Sequence, residues 1–158
     1  MSGGVGAVKK VPLGFNETAF LSTMKILVVD DSELILDRLV GLLHGLHGMA
    51  EIDTAETLAE ALQRAQAGRP RLIILDFHLP DGNASQILPE LKKIDPTMLI
   101  AVLTNDANAP NRVKCMQAGA DWFFDKSTEF EKVLALIKIE SARYSSGDAK
   151  QEAGSRKK

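Results

Sequence analysis

The chain predicts an α/β fold, a doubly wound five-stranded parallel sheet flanked by five helices. Three observations point there. Apolar runs alternate with amphipathic segments from Met24 to about residue 143. The runs Ile26-Leu27-Val28-Val29, Leu72-Ile73-Ile74-Leu75 and Leu99-Ile100-Ala101-Val102-Leu103 are continuously apolar, as strands buried on both faces of a parallel sheet must be. These runs end in reactive side chains, Asp30-Asp31, Asp76 and Thr104, and a fourth run, Trp122-Phe123-Phe124-Asp125, ends in Lys126. With right-handed crossovers, those ends share one sheet edge, where such sheets bind ligands.

The elements follow in order. Residues 1–23, with Gly3, Gly4, Gly6, Gly14 and Pro12 and no periodicity, read as a flexible arm. Met24 opens the first clean strand and is a candidate translation start. Strand 25–29 leads to a helix of about 32–46, stopped near Gly45 and Gly48. A strand at about 50–54 is followed by a helix from Thr57 to Ala67, with Gly68 placed for the C-cap. Strand 71–75 precedes a turn at Pro80-Asp81-Gly82 and a helix of about 84–93, ended by Asp95-Pro96. Strand 98–103 leads to a helix of about 110–118, with Pro110 in its first turn and Gly119 as C-cap. Strand 122–125 precedes a last helix of about 128–143, capped by Ser127 or Thr128. The chain thus divides into the arm, a folded domain at 24–142 and a polar, disordered tail at 143–158.

Composition narrows the class. Hydrophobic residues make up 45% of 158, charged residues 25%, and the net charge is −2, which suits one globular domain and gives no footing for nonspecific nucleic-acid binding. A single cysteine, Cys115, excludes an internal disulfide and fits a reducing compartment. No apolar run is long enough for membrane insertion, and the N-terminus lacks the apolar core of a signal peptide. A cytoplasmic protein is expected.

The strand-end residues carry the chemistry. Three crowded carboxylates repel and raise one another's pKa unless a cation neutralises them. Mg²⁺ is the expected cofactor, because it takes oxygen ligands, keeps waters and favours one or two carboxylates plus a phosphate. No Cys/His cluster exists for zinc. Asp76 leads into the loop Phe77-His78-Leu79-Pro80-Asp81-Gly82 and is the nucleophile candidate, since a carboxylate can attack phosphorus to form an aspartyl phosphate. Lys126 can neutralise a phosphoryl oxygen and Thr104 can donate a hydrogen bond to another.

At this point the chain resembles the receiver domains of bacterial two-component response regulators, which have the flavodoxin-like fold. The matching segments are Leu-Val-Val-Asp30-Asp31-Ser, Ile-Ile-Leu-Asp76-x-x-Leu-Pro80-Asp-Gly82, Val-Leu-Thr104 and Ala118-Gly-Ala-Asp-Trp-Phe123-Phe-Asp-Lys126, covering about residues 24–142. Each is weak alone; all four in order, each at a strand end, are specific. The resemblance implies Asp76 as phosphoacceptor, with Asp30, Asp31, Asp76 and the His78 backbone carbonyl holding Mg²⁺. It implies Thr104 and Lys126 as phosphoryl-stabilising groups and Thr104 with Phe123 as the switch pair. The phosphoryl donor it implies is a histidine kinase or histidine phosphotransfer protein, and the output an unknown downstream protein target.

Two places depart from the family pattern. Ser127 stands where proline usually follows the lysine, so a trans bond is expected there. Asn105 and Asp106 follow Thr104 where a small residue is usual; with His78 they are expected to set the lifetime of the aspartyl phosphate. Surplus apolar surface marks docking faces. Leu34 and Ile35 are the candidate kinase-docking residues. Leu136 and Ile139 exceed the last helix's core stripe of Phe130, Val133, Leu134 and Ile137, which suggests a partner or a homodimer through the face of helix 110–118, strand 122–125 and the last helix. His44 and His47 suit the end of the first helix, and Cys115 reads as packing.

The expected role is a stand-alone phospho-switch, not an enzyme beyond its own phosphorylation and dephosphorylation, acting by protein contact. Two alternatives stand beside it. An aspartate-nucleophile phosphatase of the haloacid-dehalogenase type needs a second Asp two residues after the nucleophile, where this chain has His78. A pseudo-receiver scaffold would take no phosphate, and the complete acid pocket counts against it.

Overall fold

The structure, a computed structural model, describes residues 23–46 and 50–147. The expected arm before Thr23, the segment 47–49 with His47 and Gly48, and the tail beyond Gly147 lie outside the described residues. In order come β1 (Met24–Val29), α1 (Glu33–Leu43), β2 (Ala50–Ala55), α2 (Leu58–Gly68), β3 (Leu72–Asp76), β4 (His78–Leu79), β5 (Gly82–Asn83), α3 (Leu88–Ile94), β6 (Leu99–Thr104), α4 (Ala109–Ala118), β7 (Trp122–Asp125) and α5 (Phe130–Ser146). Short 3₁₀ turns follow α1 at His44–Leu46 and precede α3 at Ala84–Gln86.

Five strands form one parallel sheet in the order β2-β1-β3-β6-β7, as the alternating pattern requires. Side chains alternate across it. Leu27, Val29, Ile73, Leu75, Ile100 and Val102 pack with α2, α3 and α4 on one face. Met24, Ile26, Val28, Leu72, Ile74 and Leu103 pack with α1 and α5 on the other. Truncating a side chain in such a two-sided core costs about 2–5 kcal/mol, so the strands are held rigidly. The register aligns Val29 with Leu75, Asp76 with Leu103 and Thr104 with Asp125. Asp30, Asp76, Thr104 and Lys126 therefore leave the sheet at one edge.

Local chemistry sets the helix ends, in places differently from expectation. Thr57 is the N-cap of α2, its hydroxyl accepting the Glu60 N–H. Gly68 is still helical, and Arg69 takes the left-handed capping position at φ 47°. The Pro80-Asp81-Gly82 turn closes the two-residue hairpin β4–β5, and the Asp81 carboxylate accepts the N–H groups of Leu58 and Ala59 at 2.8 and 3.0 Å. The loop after Asp76 is thus pinned to the start of α2, and these bonds hold the Asp81 carboxyl below its ordinary pKa. Gly82 sits at φ 144°, where an added Cβ would run into Gln86 and Leu58, so the loop needs glycine here.

In the last unit neither Ser127 nor Thr128 caps α5, whose N-cap is Glu129. Ser127 instead donates its N–H and hydroxyl to Asp125 Oδ1 at 2.9 and 2.7 Å, folding the loop back on β7. There is no cis peptide bond among the described residues. The last helix runs on to Ser146, and Leu136 is part of its core stripe, leaving Ile139 as the exposed surplus residue.

Candidate functional site

The first acid is fixed from both sides. The Asp30 N–H donates to Ala55 O at 3.0 Å, and Asp30 Oδ1 accepts the Ser32 N–H at 2.9 Å. Ser32 in turn caps α1, its Oγ accepting the Ile35 N–H. Asp30 and Asp76 are buried and Asp31 is exposed, and one oxygen from each of the three lies within 4.8 Å of the others.

Lys126 closes the set. Its N–H donates to Thr104 O at 2.8 Å, which extends the β6–β7 pairing. Its Nζ donates to Asp30 Oδ2 at 2.7 Å and lies 3.4 Å from Asp76 Oδ2, with all three side chains buried. One ammonium meets two of the three clustered carboxylates. Burial first, then the Asp30 charge, push the Asp76 carboxyl up to about 6, with Lys126 pulling the other way. An acidic, partly dried pocket whose clustered ligand atoms are carboxylate oxygens, with unbalanced negative charge, fits a hard divalent cation such as Mg²⁺. Asp30, Asp31 and Asp76 are the side chains that would hold it.

All the sequence-derived site residues except Phe123 line one open cleft of about 670 Å³, with Leu34 and Ile35 on its rim. Leu34 is 77% exposed. Thr104 is buried, and its Oγ1 accepts the Asp106 N–H at 3.0 Å. His78 Nε2 meets Asp106 Oδ2 at 2.9 Å, so the loop after Asp76 is clasped to the loop after Thr104. That bond holds the Asp106 carboxyl below its ordinary value. Asn108 Nδ2 donates to Asp106 Oδ1 and Asn111 Nδ2 to the Asp106 carbonyl, both at 2.9 Å.

Phe123 lies outside the cleft, buried in the core on the α4 side of the sheet. The Arg112 guanidinium stands 4.9 Å from its ring centroid. The sequence groups Asn105, Asp106 and His78 as residues expected to set the phosphoryl lifetime, but gives no sign of the direct His78–Asp106 clasp. The roles of Ser32, Asp81 and Arg112 were also missed. Only Ser32 left a sequence signal, as an N-cap residue opening a helix just after the acid pair.

The family model "Response regulator receiver domain" matches residues 26–138, and the chain belongs to that family of two-component signalling proteins. Among curated proteins it is similar to the transcriptional regulatory protein PrrA of Mycobacterium leprae, 32% identical over 119 residues, covering 75% of this chain and 50% of that one. It is also similar to the KDP operon transcriptional regulatory protein KdpE of Escherichia coli, 31% identical over 124 residues, covering 78% of this chain and 54% of that one. The chain thus spans about half the length of these relatives. Among solved structures, a CheY-like receiver domain protein from Methanospirillum hungatei superposes with a TM-score of 0.70 at 28% identity, over 79% of this chain and 98% of that one. The beryllofluoride-activated NtrC4 receiver domain dimer superposes with a TM-score of 0.67 at 31% identity, over 76% and 98%. Among the described residues, no helix is long and apolar enough to cross a membrane.

Proposed function

We propose that this protein accepts a phosphoryl group on Asp76 from a histidine kinase or histidine phosphotransfer protein and signals by reshaping a protein-binding face. The observation that carries the reading is the Asp76 carboxylate, held at the floor of the cleft beside Asp30, Asp31 and the Lys126 ammonium. With its pKa at about 6, Asp76 is mostly ionised at neutral pH and can attack phosphorus. The Oδ–P bond forms as the P–N bond to the donor's imidazole breaks, and the departing imidazole takes a proton from water. Asp30, Asp31, Asp76 and the His78 carbonyl would hold Mg²⁺, which when bound would supply positive charge against the phosphoryl oxygens.

The other residues position and read the group. Lys126 neutralises a phosphoryl oxygen. Thr104 accepts the Asp106 N–H, which leaves its O–H free to donate to another oxygen. Its shift toward the phosphoryl group and the packing of Phe123 form the two-state element that α4, β7 and α5 report. Asn105, Asp106 and His78 set the lifetime by limiting the approach of water. Leu34 and Ile35 meet the phosphoryl donor, and the α4–β7–α5 face meets the downstream target or a second copy. The protein acts through these contacts as a stand-alone switch in the cytoplasm, and the mass of the native protein tests that part. The phosphatase alternative gains no support, because the His78 side chain is engaged with Asp106.

Beryllofluoride, which mimics an aspartyl phosphate, tests the proposal. With Mg²⁺ it changes Trp122 emission in the wild type and leaves Asp76→Asn unchanged. A silent wild type, or an equal response from Asp76→Asn, overturns the reading.

A further inference from the structure

We propose that Arg112 is a positioning residue that holds Phe123 in its buried position before Asp76 carries phosphate. The inference rests on Thr104 and Phe123 being the switch pair and adds a residue to it. Arg112 lies on α4 and touches Phe123 twice. Its guanidinium carbon stands 4.9 Å from the ring centroid, and its Nη1 donates to the Phe123 carbonyl at 3.2 Å. A cation over a ring face and a fork bonded to the same residue's backbone fix both the side chain and the strand that carries it. The ring is only 4% exposed.

The contact joins two elements of the signalling face, α4 and β7, and the start of α5 is bonded to the same strand. Arg112 belongs to α4 and Phe123 to β7. Glu129 Oε1 accepts the Asp125 N–H at 2.8 Å, so Glu129 is tied to the same strand. Arg112 thereby couples the aromatic ring to the placement of α4 on β7, the strand to which the start of α5 is also tied.

The energetic consequence follows from linkage. If phosphorylation and the buried ring favour the same state, whatever stabilises the buried ring beforehand makes phosphorylation easier. A cation–π contact on an exposed side chain plus one hydrogen bond together shift such a balance by roughly five- to seventy-fold. Without Arg112 the ring samples other positions until phosphate draws Thr104 inward.

The test compares wild type, Arg112→Met and Arg112→Lys as full chains, with phenylalanine ring resonances read by NMR and Phe123 assigned through Phe123→Leu. In unmodified Arg112→Met, the Phe123 ring resonances move away from their wild-type positions. Arg112→Lys, which keeps a cation over the ring, falls between. Beryllofluoride with Mg²⁺ returns Arg112→Met to the wild-type positions, at roughly five- to seventy-fold higher ligand concentration. Unchanged Phe123 resonances in unmodified Arg112→Met overturn the proposal, as does equal displacement in Arg112→Lys and Arg112→Met. Mass analysis of wild type after acetyl phosphate treatment reports separately on Asp76, so a failure of the underlying reading is distinguishable from a failure of the latch.

Discussion

Replacing Asp76 by Asn is expected to make the metal-free protein more stable at neutral pH. The Asp76 carboxyl has a pKa of about 6 in the fold against 3.8 when unperturbed. The folded state therefore binds this proton more tightly than the unfolded state. Stability from this group is fully present below about pH 3.8, is lost as pH rises toward 6, and the loss is complete above that. At about 1.4 kcal/mol per pKa unit, the ionised carboxylate costs the native state about 3 kcal/mol at pH 7. Asn removes the charge but also removes a partner of Lys126, which lies 3.4 Å away. The net gain is therefore about 1–3 kcal/mol, or a rise of roughly 3–5 °C in Tm for each kcal/mol in a domain of this size. Thermal melts in chelator between pH 4 and 8 provide the assay. The advantage of Asp76→Asn shrinks toward zero near pH 4, and millimolar Mg²⁺ narrows it at pH 7 by stabilising the wild type through binding. A variant less stable than wild type at pH 7 without metal, or a difference independent of pH, refutes the reasoning.

Three further outcomes are expected. Asp106→Ala opens the clasp with His78 and speeds loss of the phosphoryl group by roughly three- to ten-fold, followed as decay of the phosphoprotein mass; an unchanged rate contradicts the role given to the rim. Cys115 is buried, and burial pushes its thiol up to about 11, so a thiol reagent reacts slowly with the native protein and rapidly once it is unfolded in urea; fast native reaction contradicts the packing role. Asp121 Oδ2 accepts both Lys92 Nζ and the Ile100 N–H at 2.9 Å in a mostly buried setting, so Asp121→Ala costs about 2–4 kcal/mol in urea denaturation; a loss below about 0.5 kcal/mol contradicts that.

The strands were legible because burial on both faces leaves uninterrupted apolar runs, and the site was legible because each run stops at a chemically active residue. The Asp30-Asp31 pair, Asp76, Thr104 and Lys126 are far apart in sequence, yet a parallel sheet with right-handed crossovers leaves few other places for them. What sequence left hidden depends on side-chain geometry between loops. Pro80-Asp81-Gly82 announces a turn, but that Asp81 caps α2 is set by the packing of that turn against the helix. Gly68 looks like a helix stop, yet the helix runs one residue further, because Arg69 takes the left-handed position before Pro70. Ser127 has the chemistry of a cap and spends it on Asp125 instead. Leu136 looks surplus because the apolar stripe on α5 is wider than one helical row, and it packs in the core cluster that α1 and α5 form on the sheet. Arg112 carries no sequence signal, because a solvated arginine and one laid over a ring look alike in one dimension.

The central claim is that Asp76 receives the phosphoryl group, and residue-level mass spectrometry tests it most directly. The wild type is treated with acetyl phosphate and Mg²⁺, quenched, reduced with borohydride, which converts an aspartyl phosphate to homoserine, and digested. The account predicts one modified residue, Asp76, with no modification in Asp76→Asn or in wild type treated in chelator. Homoserine at Asp30, Asp31 or another acid, or an unmodified Asp76 in the Mg²⁺ sample, contradicts it.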